Sequence, residues 1–131
     1  MYREIVLESH LVQRLGLLKN SSSAVYLYFT ADKVGGERWC PDCRNAEPVL
    51  EEAFQVLPAG AYVLQIEVAK DRWKGLEGQK HFFRQAPFSL GGLPSLCEWD
   101  TKKQAVVRKF TEGECEQLEA LQEMMMASSE F

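Results

Sequence analysis

This sequence is short of basic charge, histidine and long apolar runs, and each shortage removes a class of function. Fifteen Lys and Arg stand against nineteen Asp and Glu, for a formal net charge of −4. That balance argues against nucleic acid as a partner, because phosphate backbones are met by clustered basic surface. No apolar stretch reaches the length needed to cross a membrane, so no membrane partner is expected. The two histidines, His10 and His81, have no evident partners in the sequence and are assigned no role. The N-terminus, Met1 to Glu8, breaks its apolar residues with charges and offers no signal-peptide core. The expected location is cytoplasmic, where four cysteines are not expected to form a static disulfide framework.

What is there suits one domain, residues 1–131, with 46% hydrophobic and 26% charged residues. Arg3 to Leu7 alternates and predicts a first, edge strand. Ser9 is placed to cap a helix running to Lys19, with Leu11, Leu15 and Leu18 on one face. Ala24 to Thr30 is almost wholly apolar or β-favouring, as a strand covered on both faces would be. A polar loop, Ala31 to Arg38, then leads to a helix starting at Pro41, a residue suited to a first helical position. Cys43, Ala46, Leu50, Ala53, Phe54 and Leu57 define its buried side, and Pro48 is expected to kink it. A strand over Ala61 to Val68 follows, then a loop or short helix over Lys70 to Gly78, then a helical stretch over Gln79 to Gln85 with Phe82 and Phe83 inward. Gly91 to Pro94 forms a constrained loop before a hairpin, Ser95 to Trp99 and Ala105 to Phe110, and a last helix follows Gly113. The element order β-α-β-α-β-α-β-β-α predicts an α/β fold, a mixed sheet flanked by helices.

The chemistry concentrates in Trp39-Cys40-Pro41-Asp42-Cys43. A Cys-x-x-Cys pair in a reducing compartment is redox-active or metal-binding. Zinc needs two further ligands, and Cys97 and Cys115 lie too far apart in sequence to supply a second pair, so no metal is expected. At a helix start, unpaired N–H groups and the helix dipole favour an anion, which lowers a thiol pKa below the free value of about 8.5. Only the thiolate attacks a disulfide, so Cys40 is the expected nucleophile and Cys43, one turn deeper, the resolving thiol. Asp42 opposes a second negative charge nearby; Arg38 and Arg44 are candidates to offset it, and Asp42 is a candidate for proton transfer. Cys97 and Cys115 read as buried core thiols, Trp73 as a loop anchor, Glu47 as a solvated helix residue, and Met124 to Met126 as a helix end with one core contact.

On these residues the chain resembles the thioredoxin superfamily, and within it the thioredoxin domain-containing protein 17 family. The matching segments are Tyr28-Phe29-Thr30, then Trp39-Cys40-Pro41-Asp42-Cys43, then Ala46-Glu47-Pro48-Val49, then Pro94-Ser95. The resemblance implies a thioredoxin fold and a protein-disulfide reductase cycling between a Cys40–Cys43 disulfide and a dithiol, with no bound cofactor. It implies electrons from NADPH through thioredoxin reductase, and small-molecule and selected protein disulfides as substrates. It also implies that Pro94 is cis, that Leu93 offers its backbone to a substrate strand, and that Trp39 and Pro41 line the binding surface. Two departures from ordinary thioredoxin stand out: Tyr28 occupies the place of a buried aspartate, and the loop from Ala31 to Arg38 is longer. A rival expectation is a thioredoxin-fold adaptor that docks a partner without turnover; a glutathione-dependent enzyme is a third.

Overall fold

The computed structural model describes residues 1–128. Its centre is β2 (Val25–Ala31), all seven residues of which are buried. Strand alternation sends its side chains to two opposite layers. Val25, Leu27, Phe29 and Ala31 join one core with Leu11, Leu15, Phe83 and Phe88, while Tyr26 and Tyr28 join a second with Leu50, Phe54, Leu121 and Met125. A strand buried on both faces reads as the continuous apolar run seen here.

Around it lie β1 (Tyr2–Val6), β5 (Tyr62–Val68), β6 (Ser95–Asp100) and β7 (Ala105–Thr111), in the order β1-β5-β2-β6-β7. The first three are parallel to one another, and β6 and β7 are antiparallel additions. The sheet is mixed, with helices on its faces, and β1 is an edge strand as expected.

The stretch from Ala31 to Arg38 is more ordered than a polar loop. It holds a small hairpin of β3 (Lys33–Val34) and β4 (Glu37–Arg38), turned by Gly35 and Gly36 at φ +62° and +87°. Two successive positive φ values match the twist of flanking strands and select glycine. The helix α2 (Pro41–Ala53) buries Cys43, Ala46, Leu50 and Ala53 and continues through Pro48. Pro48 is exposed, so the Arg44 carbonyl that it cannot bond faces water. Beyond Ala53 the chain tightens into a 3-10 turn, Phe54–Val56, rather than continuing to Leu57.

Three further expectations need correction. The first helix, α1 (Leu11–Leu17), is preceded by a 3-10 turn at Glu8–His10, and Ser9 does not cap it. The excursion between β5 and β6 contains only α3 (Lys70–Trp73), α4 (Gly75–Gly78) and a 3-10 turn at Phe82–Arg84. Phe83 is fully buried there but Phe82 is 39% exposed, because a 3-10 turn does not put adjacent residues on one face. Met124 and Met125 of α5 (Leu118–Ser128) are both buried, so this helix end carries two core contacts.

Candidate active site

Cys40 is the N-cap of α2, in extended conformation, and its carbonyl accepts the Arg44 N–H at 3.2 Å to close the first turn. The approach to it is pinned at the carboxyl ends of β2 and β5. The Asp32 N–H and the Trp39 indole Nε1 both donate to the Val68 carbonyl, at 3.0 and 2.9 Å, and Trp39 N–H donates to the Asp32 carbonyl. The Trp39 ring, next to Cys40 in the chain, is half-buried, with the Lys74 ammonium 5.9 Å from its centroid.

Opposite the thiols lies the loop before β6. The Leu93–Pro94 bond is cis, both residues are buried, and Cys40 Sγ stands 3.5 Å from the Leu93 carbonyl oxygen. The Ser95 hydroxyl donates to the Gly92 carbonyl at 2.7 Å and fixes the loop. Arg84 lies over the Trp73 ring, 3.6 Å from its centroid, and donates to the Trp73 and Gly78 carbonyls. Trp73 is thus a buried anchor.

All four cysteines are free thiols. Cys43 is fully buried and Cys40 partly so. The two sulfurs drive each other's ionisation apart. The hydrogen bond from Cys43, helped by the Cys43 and Asp42 backbone N–H groups, pulls Cys40 down to about 6 against burial and the Asp42 carboxylate. The same hydrogen bond, then burial, pushes Cys43 far above the usual thiol range. One sulfur is therefore an accessible anion at neutral pH and the other a buried neutral donor. Pro41 and Asp42 are exposed in the first turn. Cys97 and Cys115 are fully buried and held up to about 12 by desolvation, which keeps them inert.

Three residues differ from expectation. Arg38 is 5% exposed and does not turn its charge to the thiols. It donates to Glu47 Oε1 at 2.8 and 3.0 Å, to Glu67 Oε2 at 2.9 Å and to the Ala31 carbonyl at 2.8 Å. Glu47 is accordingly an ion-pair partner tying α2 to β4 as well as a partly solvated helix residue. His81 also has partners: its Nε2 lies 2.6 Å from Glu8 Oε1 and its Nδ1 accepts the Phe83 N–H. Thr30, named from the sequence only within a matching segment and given no role there, has a setting of its own. It is fully buried, on the same side of β2 as Tyr28, and both hydroxyls are without a hydrogen-bond partner. Its place in an otherwise apolar strand was the available signal. Among the described residues, no three His, Cys, Asp or Glu side chains converge to hold a metal.

A sequence model of the thioredoxin domain of thioredoxin domain-containing protein 17-like proteins matches residues 6–128. The chain belongs to that family. Thioredoxin domain-containing protein 17 of Homo sapiens is 30% identical over 99 residues, covering 74% of this chain and 73% of the relative. The thioredoxin-like protein Clot of Arabidopsis thaliana is 32% identical over 99 residues, covering 72% and 71%. Among solved structures, thioredoxin O1 of Arabidopsis thaliana in its oxidised state superposes with a TM-score of 0.61 at 18% identity, covering 96% of this chain and 99% of that one. A poplar thioredoxin h gives 0.62 at 16% identity, covering 100% and 99%. These likenesses establish the thioredoxin fold, and the family is of the thiol–disulfide oxidoreductase type.

Proposed function

We propose that this chain is a protein-disulfide reductase working through its Cys40-Pro41-Asp42-Cys43 dithiol. The observation that carries the reading is the split between the thiols: a partly buried sulfur at the N-cap of α2, held anionic at neutral pH, beside a fully buried one held neutral. Cys40 thiolate attacks a substrate disulfide, forming a mixed disulfide and expelling one substrate thiolate. Cys43 then attacks the Cys40 sulfur, closing the Cys40–Cys43 disulfide and expelling the second. Both expelled thiolates leave as thiols after taking protons.

Substrate is recognised by a short backbone pairing at Leu93, beside Pro94, over the surface formed by Trp39 and Pro41. Asp42, exposed in the first turn, exchanges protons with the departing groups. The substrates are small disulfides such as cystine and a limited set of protein disulfides. NADPH supplies electrons through thioredoxin reductase, which returns Cys40–Cys43 to the dithiol; no bound cofactor takes part, and the protein acts in the cytoplasm.

The test is NADPH consumption with thioredoxin reductase, cystine and this protein, wild type against Cys40→Ser. Turnover that disappears in the variant supports the reading. Absence of turnover in a wild-type protein whose dithiol forms with a chemical reductant overturns it in favour of an adaptor.

A further inference from the structure

Cys43 must become an anion to attack the mixed disulfide on Cys40, yet its side chain is fully buried among apolar neighbours. A charge in such surroundings needs hydrogen-bond donors. The side chains on the α2 face of β2 offer two. Thr30 and Tyr28 alternate there, both fully buried, and neither hydroxyl has a hydrogen-bond partner. Unpaired buried hydroxyls are rare in native proteins, and two at one spot beside a reacting group require an explanation.

Their setting supplies one. Cys43 packs in the same core cluster as Ala31, the residue that follows Thr30; the Thr30 hydroxyl and the Ala31 backbone N–H both favour its anion, and the Thr30 hydroxyl also acts on Tyr28. With Cys43 neutral, no anion is present for these donors to meet. The acceptor they lack appears only when Cys43 loses its proton.

We propose that Thr30 is the side-chain donor that stabilises the Cys43 thiolate during resolution, with the Tyr28 hydroxyl donating in turn to the Thr30 oxygen. This deepens the dithiol mechanism proposed above and rests on it. The step balances without a further reagent. The Cys43–Cys40 S–S bond forms, the bond from Cys40 to the substrate sulfur breaks, and the electron pair of that bond leaves on the substrate thiolate. The proton released by Cys43 matches the one taken up by the departing thiol. An interaction formed only on the way through the step accelerates it, whereas one present throughout does not.

The experiment mixes the reduced full-length protein with an excess of an aromatic disulfide whose released thiol is coloured. The first release reports attack by Cys40 and the second reports resolution by Cys43. Thr30→Val is expected to lower the ratio of the second rate to the first about tenfold, the scale of a lost hydrogen bond to a charged group. Thr30→Ser is expected to restore it, and Tyr28→Phe to lower it by a smaller factor. Accumulation of the mixed disulfide in Thr30→Val, seen by mass spectrometry, supports the same assignment. Since the valine removes an unpaired buried hydroxyl, its melting temperature is expected to match or exceed wild type. An unchanged ratio in Thr30→Val, or an equal loss in Thr30→Ser, overturns the role of Thr30 while leaving the dithiol mechanism standing. Failure of the wild-type protein to release any coloured thiol overturns both.

Discussion

Cys40 Sγ lies 3.5 Å from the carbonyl oxygen of Leu93, a residue 53 positions away along the chain. That contact brings the start of α2 against the loop before β6, so Cys40 faces a strip of backbone rather than a side-chain pocket.

Replacing the two thiols separately should divide the reaction. Cys40→Ser is expected to reduce turnover to background. Cys43→Ser is expected to leave the first attack and accumulate a mixed disulfide on Cys40, visible as a mass increase equal to half of the substrate disulfide. Equal loss of both steps in Cys43→Ser would refute the assignment of roles.

The pH dependence follows from the thiol split. Alkylation of Cys40 is expected to rise with pH about a midpoint of about 6, not the free-thiol value of about 8.5. Asp42→Asn removes an opposing charge, so its curve should move to lower pH. An unshifted curve would show that the Asp42 carboxylate does not act on the thiolate, and an unchanged pH–rate profile for reduction would dismiss its proton-transfer role.

Stability of the reduced protein should follow the same groups. Cys40 is depressed in the folded state, so its contribution grows as pH rises from about 6 and is complete above the unfolded value of about 8.5. Cys43, Cys97 and Cys115 are raised, so their contribution is full below about 8.5 and is lost as pH rises past it. Urea midpoints of the dithiol form are therefore expected to climb toward pH 8 and fall above pH 9; a flat profile over this range would contradict the assignment.

Arg38 joins β4, α2, β5 and the end of β2 through one guanidinium. Arg38→Met leaves the Glu47 and Glu67 carboxylates without that cation, although both keep access to water at 33% and 27% exposure. The expected loss is about 2 kcal/mol, below that of a fully buried broken pair, read from chemical denaturation. Arg38→Lys should recover only part of it, because a single ammonium cannot reproduce the fork.

Gly78 sits where a Cβ would fall 2.0 Å from the Trp73 carbonyl oxygen. Both residues belong to the segment that Arg84 ties together. Gly78→Ala should cost about 1–3 kcal/mol through forced backbone displacement, with a lowered melting temperature. A neutral substitution would mean that the α3–α4 turn opens freely.

The amino-acid sequence by itself determined the order of the five strands of the main sheet and of the helices α1, α2 and α5, the doubly covered β2 and the placement of Cys40 at a helix start. Those are local matters: the apolar run of Val25–Ala31, the proline at the first helical position and the spacing of Cys43, Ala46 and Leu50 each act within a few residues. Even the hairpin turned by Gly35-Gly36 was legible in principle, since that pair is a turn signal of its own. Tertiary structure alone decided which distant groups meet. Nothing near Arg38 in the chain foretells that it turns away from the thiols to Glu47 and Glu67, because burial of a cation is settled by whichever carboxylates the packed sheet and helix present. Nor does the chain around Thr30 reveal that its hydroxyl is buried unpaired near Cys43; only the closing of α2 over β2 excludes water there and makes a silent hydroxyl a donor waiting for an anion.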